Sequence, residues 1–128
     1  MESLLPGQSD IGFATAELVD RRVRTFVDMW REGHEVGTHF LGHFCGANGV
    51  DTWSTQDWRD EISQARQFLD TWPANNPQVT DQSLTLPFDS SVIVGDRTPC
   101  LEGDRPAMWE AFAAEGFRYE ASDPGVLQ

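Results

Sequence analysis

No lysine occurs in the 128 residues: all nine cationic side chains are arginines, against 21 carboxylates, for a net charge of −12. A chain this acidic offers no broad basic footprint for nucleic acid and no polybasic patch for a membrane surface. No run approaches the ~20 apolar residues of a membrane-spanning helix. Residues 1–10 lack the basic start and apolar stretch of a signal peptide, so the chain reads either as cytosolic or as a segment of a longer protein. There are two cysteines, Cys45 and Cys100, and they form no CxxC pair. They leave two readings open: a disulfide in an oxidising compartment, or two buried thiols. Disorder is excluded by 39% apolar and 11% aromatic residues, with five Trp and eight Phe, which suffice for one modest domain.

Histidine is also scarce, and all three lie together: His34, His39 and His43. Imidazole is the commonest protein ligand for zinc and related ions. His39 and His43 are four apart, so a helix turn or a tight loop beside Gly37 and Gly42 brings them to one ion. His34 is five from His39 and falls off that face. The run His34-Glu35 followed by His39 misses the H-E-x-x-H spacing of zinc proteases by one residue, which argues against that class.

The periodicity predicts a helix over Thr15 to Arg31, with Leu18, Val19, Val23, Phe26, Val27 and Trp30 on its apolar stripe, Thr15 as cap and Gly33 past its end. His34 to Thr38 reads as a short buried strand, with His34 as one of its structural residues. A second helix is predicted over Ser54 to Trp72, opened by Ser54 and Asp57 as a capping box. Trp58, Ile62, Ala65, Phe68, Leu69 and Trp72 form its core face, and Pro73 stops it. A polar surface loop over Pro73 to Ser83 follows. Val92-Ile93-Val94 reads as a strand buried on both faces. Pro106 to Glu115 reads as a short helix stopped by Gly116, and Phe117 to Ala121 as a last strand. Helices alternating with strands predict an α/β protein with parallel strands. Functional groups in such folds gather beyond the strands' carboxyl ends. His39 and His43, Arg97, and Ser122 with Asp123 would then share one rim.

These residues carry a resemblance. Gly33-His34-Glu35-Val36-Gly37-Thr38-His39 through His43 resembles the second motif of the polysaccharide deacetylases (the NodB-homology family of carbohydrate esterases), G-H-E-I-G-x-H-S/T-x-x-H. Arg97-Thr98-Pro99 resembles the third motif, R-x-P. Gly116 to Ser122 resembles the family's next strand, in the family's order. The resemblance implies part of a distorted (β/α) barrel of the NodB type. It implies a metal-dependent hydrolase that removes N-acetyl groups from amino-sugar polymers such as chitin or peptidoglycan, outside the cell or in its envelope. His39 and His43 match the family's two metal-binding histidines, for a divalent metal, usually zinc. Arg97 matches the arginine that orients the catalytic base. Pro99 of R-x-P, and Trp53 if exposed, are substrate-binding candidates.

The departures are specific. The family's first motif, an Asp-Asp strand end supplying the base and the metal-binding Asp, is missing before residue 15, and Asp10 is a poor substitute. The last motif, a Leu-His supplying the general acid, is missing too, since no His follows His43. Phe40 stands in place of Ser/Thr, and Cys100 where an aromatic is common. The chain thus reads as the middle of one deacetylase-like domain, expected to bind metal weakly and to hydrolyse little or nothing by itself. In that setting Cys45 and Cys100 lie on the rim, where a disulfide ties the two motif loops; two reduced thiols are the alternative. Two other functions fit the same residues: a catalytically dead carbohydrate-binding relative, and a same-fold hydrolase of small non-sugar amides. Trp58, Trp72 and Trp109 have the helical spacing of core residues.

Overall fold

A computed structural model describes residues 14–123. Asp10 lies outside them. The described chain forms two compact units, one of residues 14–34 and 71–87, the other of residues 35–70 and 88–123.

The first unit is built on α1 (Ala16–Arg31). The Thr15 side chain accepts from the Leu18 amide and caps it. Its apolar residues Val19 and Val23 bury with Leu84, and Trp72, Val79 and Leu86 pack around them. The helix ends on Gly33, whose φ of 87° only glycine adopts freely. The Gly33 and His34 amides donate back to the Trp30 and Met29 carbonyls, closing the last turn. This corrects the reading of His34 as a strand residue: its backbone finishes a helix, and its ring is exposed beside Glu32. Pro73 falls in the first turn of a second short helix, α3 (Trp72–Asn75), where its missing N–H costs nothing. The stretch after Trp72 is therefore not loop throughout.

The second unit holds α2 (Thr55–Asp70) and α4 (Arg105–Ala114), packed on one another. Ser54 and Asp57 form the expected capping box, with Ser54 N donating to Asp57 at 2.8 Å and Asp57 N to Ser54 at 3.2 Å. The core is Val50, Trp58, Ile62, Met108, Ala111 and Phe112. Trp58 sits at its centre, 0% exposed, with Trp53, Phe40 and Phe112 ring centroids 4.8, 5.2 and 5.7 Å away, all edge-on. Trp109, by contrast, points outward at 56% exposure, and Phe68 is exposed as well. Helical spacing alone did not place either of them.

Strand pairing is parallel but short. β1 (Gly95–Asp96) pairs with β2 (Tyr119–Glu120), and Thr38 bridges to Asp96 on the other side. Parallel neighbours need crossover connections, which α2 and α4 supply here. Two expected strands contract. Of His34 to Thr38, only Thr38 is paired. Val92 belongs to a 3₁₀ turn (Ser90–Val92), and the ladder begins at Gly95. The turn wins because the Asp70 carboxylate takes both the Ser90 amide and hydroxyl, at 2.8 and 2.7 Å, while Asp89 takes the Ser91 amide. Gly95 itself admits no side chain: a Cβ there would lie 1.9 Å from the Tyr119 ring.

Candidate functional site

Residues 39–46 form a loop that runs from the Thr38 bridge toward α2. His39 begins it. Its Nδ1 lies 2.8 Å from the Arg97 carbonyl oxygen, across 58 residues of sequence. A carbonyl only accepts, so Nδ1 carries the proton and the Nε2 lone pair is left for an electrophile or an ion. Such a fixed tautomer is what a metal-binding imidazole needs. His43 follows one loop turn later, its ring centroid 5.1 Å from that of His39 at 65°. The segments that resemble the second and third deacetylase motifs therefore meet in space.

The turn between the histidines is held from two sides. Phe40 takes a left-handed conformation, φ 62°, which costs a non-glycine residue roughly 1–2 kcal/mol. Its ring, packed on Trp58 and Phe112, holds it there. Phe40 thus anchors the loop by burial where a hydroxyl would do so by hydrogen bonding. On the other side, Glu61 of α2 accepts from the Leu41 and Gly42 amides with one oxygen, at 2.7 and 2.6 Å. Glu61→Ala is expected to cost about 1.5–3 kcal/mol, the worth of hydrogen bonds to a charged group. It should also raise hydrogen exchange at Leu41 and Gly42, whereas Glu61→Gln, which keeps the accepting oxygen, should restore protection. Unchanged exchange in Glu61→Ala would remove Glu61 from this role.

Arg97 works here through its backbone: its amide donates to the Thr38 carbonyl while its own carbonyl holds His39. Its guanidinium is exposed and, among the described residues, forms no ion pair. Next to it, the Thr98 amide and hydroxyl both meet the Ser122 hydroxyl at 2.7 Å, with both residues buried. Of the rim expected of His39, His43, Arg97, Ser122 and Asp123, hydrogen bonds link His39 to Arg97 and Ser122 to the neighbouring Thr98, while Asp123 pairs with Arg105. Pro99 is fully buried and shapes its turn rather than presenting a surface. Trp53 is half-buried, edge-on to Trp58 and Phe44.

Two carboxylates at the site escaped sequence reasoning: Glu61 and Asp96. Asp96 is 3% exposed, and neither of its side-chain oxygens has a hydrogen-bond partner among the described residues. Burial first, and the nearby Glu120 second, push its carboxyl up to about 8, against the opposing pull of Arg105. It lines a cavity of about 390 Å³ with Gly37, Thr38, His39, Arg97, Tyr119 and Ala121. Its position at a strand's carboxyl end, beside Arg97, was the available signal.

The donor set fits a divalent ion only in part. His39 and His43 lie near one another, and Asp96 is an orphaned carboxyl beside His39. Among the described residues, however, no aspartate converges with both histidines. Among the described residues, the one group of three ligand atoms mutually within 4.8 Å is His43, Cys45 and Cys100. The two sulfurs in that group are joined as a disulfide, with Cα atoms 5.9 Å apart, so the two motif loops are covalently tied. The chain matches no family model, no curated protein and no solved structure.

Proposed function

We propose that this chain carries the histidine and arginine segments of a metal-dependent hydrolase that removes N-acetyl groups from amino-sugar polymers, acting outside the cell or in its envelope. The observation that carries the reading is the His39 ring held by the Arg97 carbonyl with His43 beside it. A divalent ion, zinc by the donor chemistry, supplies a Lewis acid when bound. The chain's own contributions are positional. Arg97 sets the His39 tautomer, Glu61 and Phe40 set the loop, and Asp96 holds a proton on a carboxyl oxygen at the cavity wall. A carbohydrate substrate is supported by Trp109 and Tyr119, exposed aromatics that line a neighbouring depression of about 260 Å³ with Phe117. Such faces stack on sugar rings as well as on apolar groups. The disulfide agrees with an oxidising compartment.

Two imidazoles fall short of the three protein ligands usual in catalytic zinc sites. The 128-residue chain is therefore expected to bind zinc weakly and to release little or no acetate from an acetylated chito-oligosaccharide. Titration of the oxidised chain with zinc should show binding lost in His39→Ala and in His43→Ala but kept in His34→Ala. Binding indifferent to His39→Ala would overturn the metal reading. Robust, chelator-sensitive acetate release by this chain would overturn the incomplete ligand set.

A further inference from the structure

We propose that the reduced chain has a zinc site of its own at His43, Cys45 and Cys100, and that the disulfide closes it. This goes beyond the deacetylase reading and does not depend on it. The geometry carries it. His43 Nδ1 lies 3.6 Å from the Cys45 sulfur and 3.7 Å from the Cys100 sulfur. In tetrahedral zinc coordination, with Zn–S near 2.3 Å and Zn–N near 2.0–2.1 Å, a nitrogen and a sulfur on one edge sit about 3.6 Å apart. Both nitrogen–sulfur distances thus already match the edge length of a zinc site. Release of the S–S bond lets the sulfurs part to the about 3.8 Å of the third edge by side-chain rotation.

Hydrogen bonds besides the disulfide also hold the segments that carry the three residues. Glu61 clamps Gly42, next to His43. Glu102 accepts from the Gly46 amide, next to Cys45. The Val50 amide donates to the Phe44 carbonyl, the Leu101 amide to the Thr98 carbonyl, and the Gly103 amide to Asp51. Cys45 and His43 are exposed and Cys100 half-buried, so both a reductant and an ion can reach them. The chemistry balances with a dithiol as reductant. The Cys45–Cys100 bond takes two electrons and two protons from the dithiol, which leaves as its own disulfide. The ion then displaces the two thiol protons as thiolate–metal bonds form. Two thiolates and one imidazole are a soft donor set that suits zinc, and the fourth position stays open to water.

The test uses the whole chain, reduced and freed of reductant under anaerobic conditions, titrated with Co²⁺ and then Zn²⁺. Thiolate-to-cobalt charge-transfer absorption should saturate at equimolar ion in the reduced chain, be absent from the oxidised chain, and be displaced by zinc. Cys45→Ser and His43→Ala should each weaken zinc binding at least about tenfold, and His39→Ala should keep the charge-transfer band. That last variant separates this site from the deacetylase pair, which needs His39. Zinc should also slow alkylation of both cysteines in the unmutated reduced chain, a reading that needs no variant. Absence of the charge-transfer band from the reduced chain, a band indifferent to Cys45→Ser, or unslowed alkylation would overturn the proposal.

Discussion

Asp96→Asn is expected to stabilise the protein at neutral pH and to flatten its stability between about pH 4 and pH 8. The reason is the distance between two titrations. Unfolded, the Asp96 carboxyl loses its proton near 3.8; folded, burial and Glu120 hold it until about 8. Between those values the folded state binds a proton that the unfolded state does not. Asp96's contribution to folding stability is therefore fully present below about pH 4 and is lost as pH rises through the folded value. The slope approaches about 1.4 kcal/mol per pH unit. Asn keeps the shape and cannot ionise, so the slope should vanish. Asp57, Asp81 and Asp89 pull the other way: hydrogen bonds from Ser54, Ser83 and Ser91, respectively, lower their carboxyls, so they favour folding as pH rises. Comparing the two proteins cancels those contributions. Urea unfolding of both, from pH 4 to pH 9, gives the measurement. Parallel curves would show that Asp96 ionises in the folded state as readily as in water.

Trp58→Ala should cost about 3–5 kcal/mol, the range for deleting a large buried aromatic. Trp58 is fully buried and meets Trp53, Phe40 and Phe112 edge-on, the favoured arrangement for ring quadrupoles. Its Nε1–H has no acceptor among the described residues, so apolar packing is its whole contribution. Trp58→Phe should therefore cost clearly less than Trp58→Ala. The consequence reaches the site, because Phe40 leans on Trp58 and sets the turn between His39 and His43. Denaturant midpoints with an unchanged slope would report the stability loss. A cost below about 1 kcal/mol for Trp58→Ala would mean that the ring is not the keystone of this unit.

Much of the local structure was legible because its causes are local. Thr15 caps α1 three residues from its partner, Ser54 and Asp57 box the start of α2, and Gly33 ends α1; each is a bond between near neighbours. The parallel pairing around α2 and α4 follows from alternating apolar periods. Where a distant side chain intervened, the local reading failed. Val92-Ile93-Val94 has the composition of a strand, but Asp70, 20 residues before Ser90, draws that segment's start into a turn. Trp109 has core spacing on α4, yet α2 covers a different face of that helix.

The sequence by itself determined that the chain is acidic, that it can build a core, that no stretch spans a membrane as a helix, and that its histidines lie within ten positions. It also marked His39 and His43 as the pair able to converge. Only the tertiary structure decided what surrounds them. The Arg97 carbonyl reaches His39 across 58 positions, Glu61 reaches Gly42 across 19, and Cys100 meets Cys45 across 55. The Asp96 carboxyl is pushed up because the fold buries it near Glu120 with no hydrogen-bond partner among the described residues. Spacing rules describe neighbours on one helix or strand. Which carboxylate, carbonyl or sulfur faces an imidazole depends on how separate segments pack, and the free energy of that packing comes from a core shared by all of them.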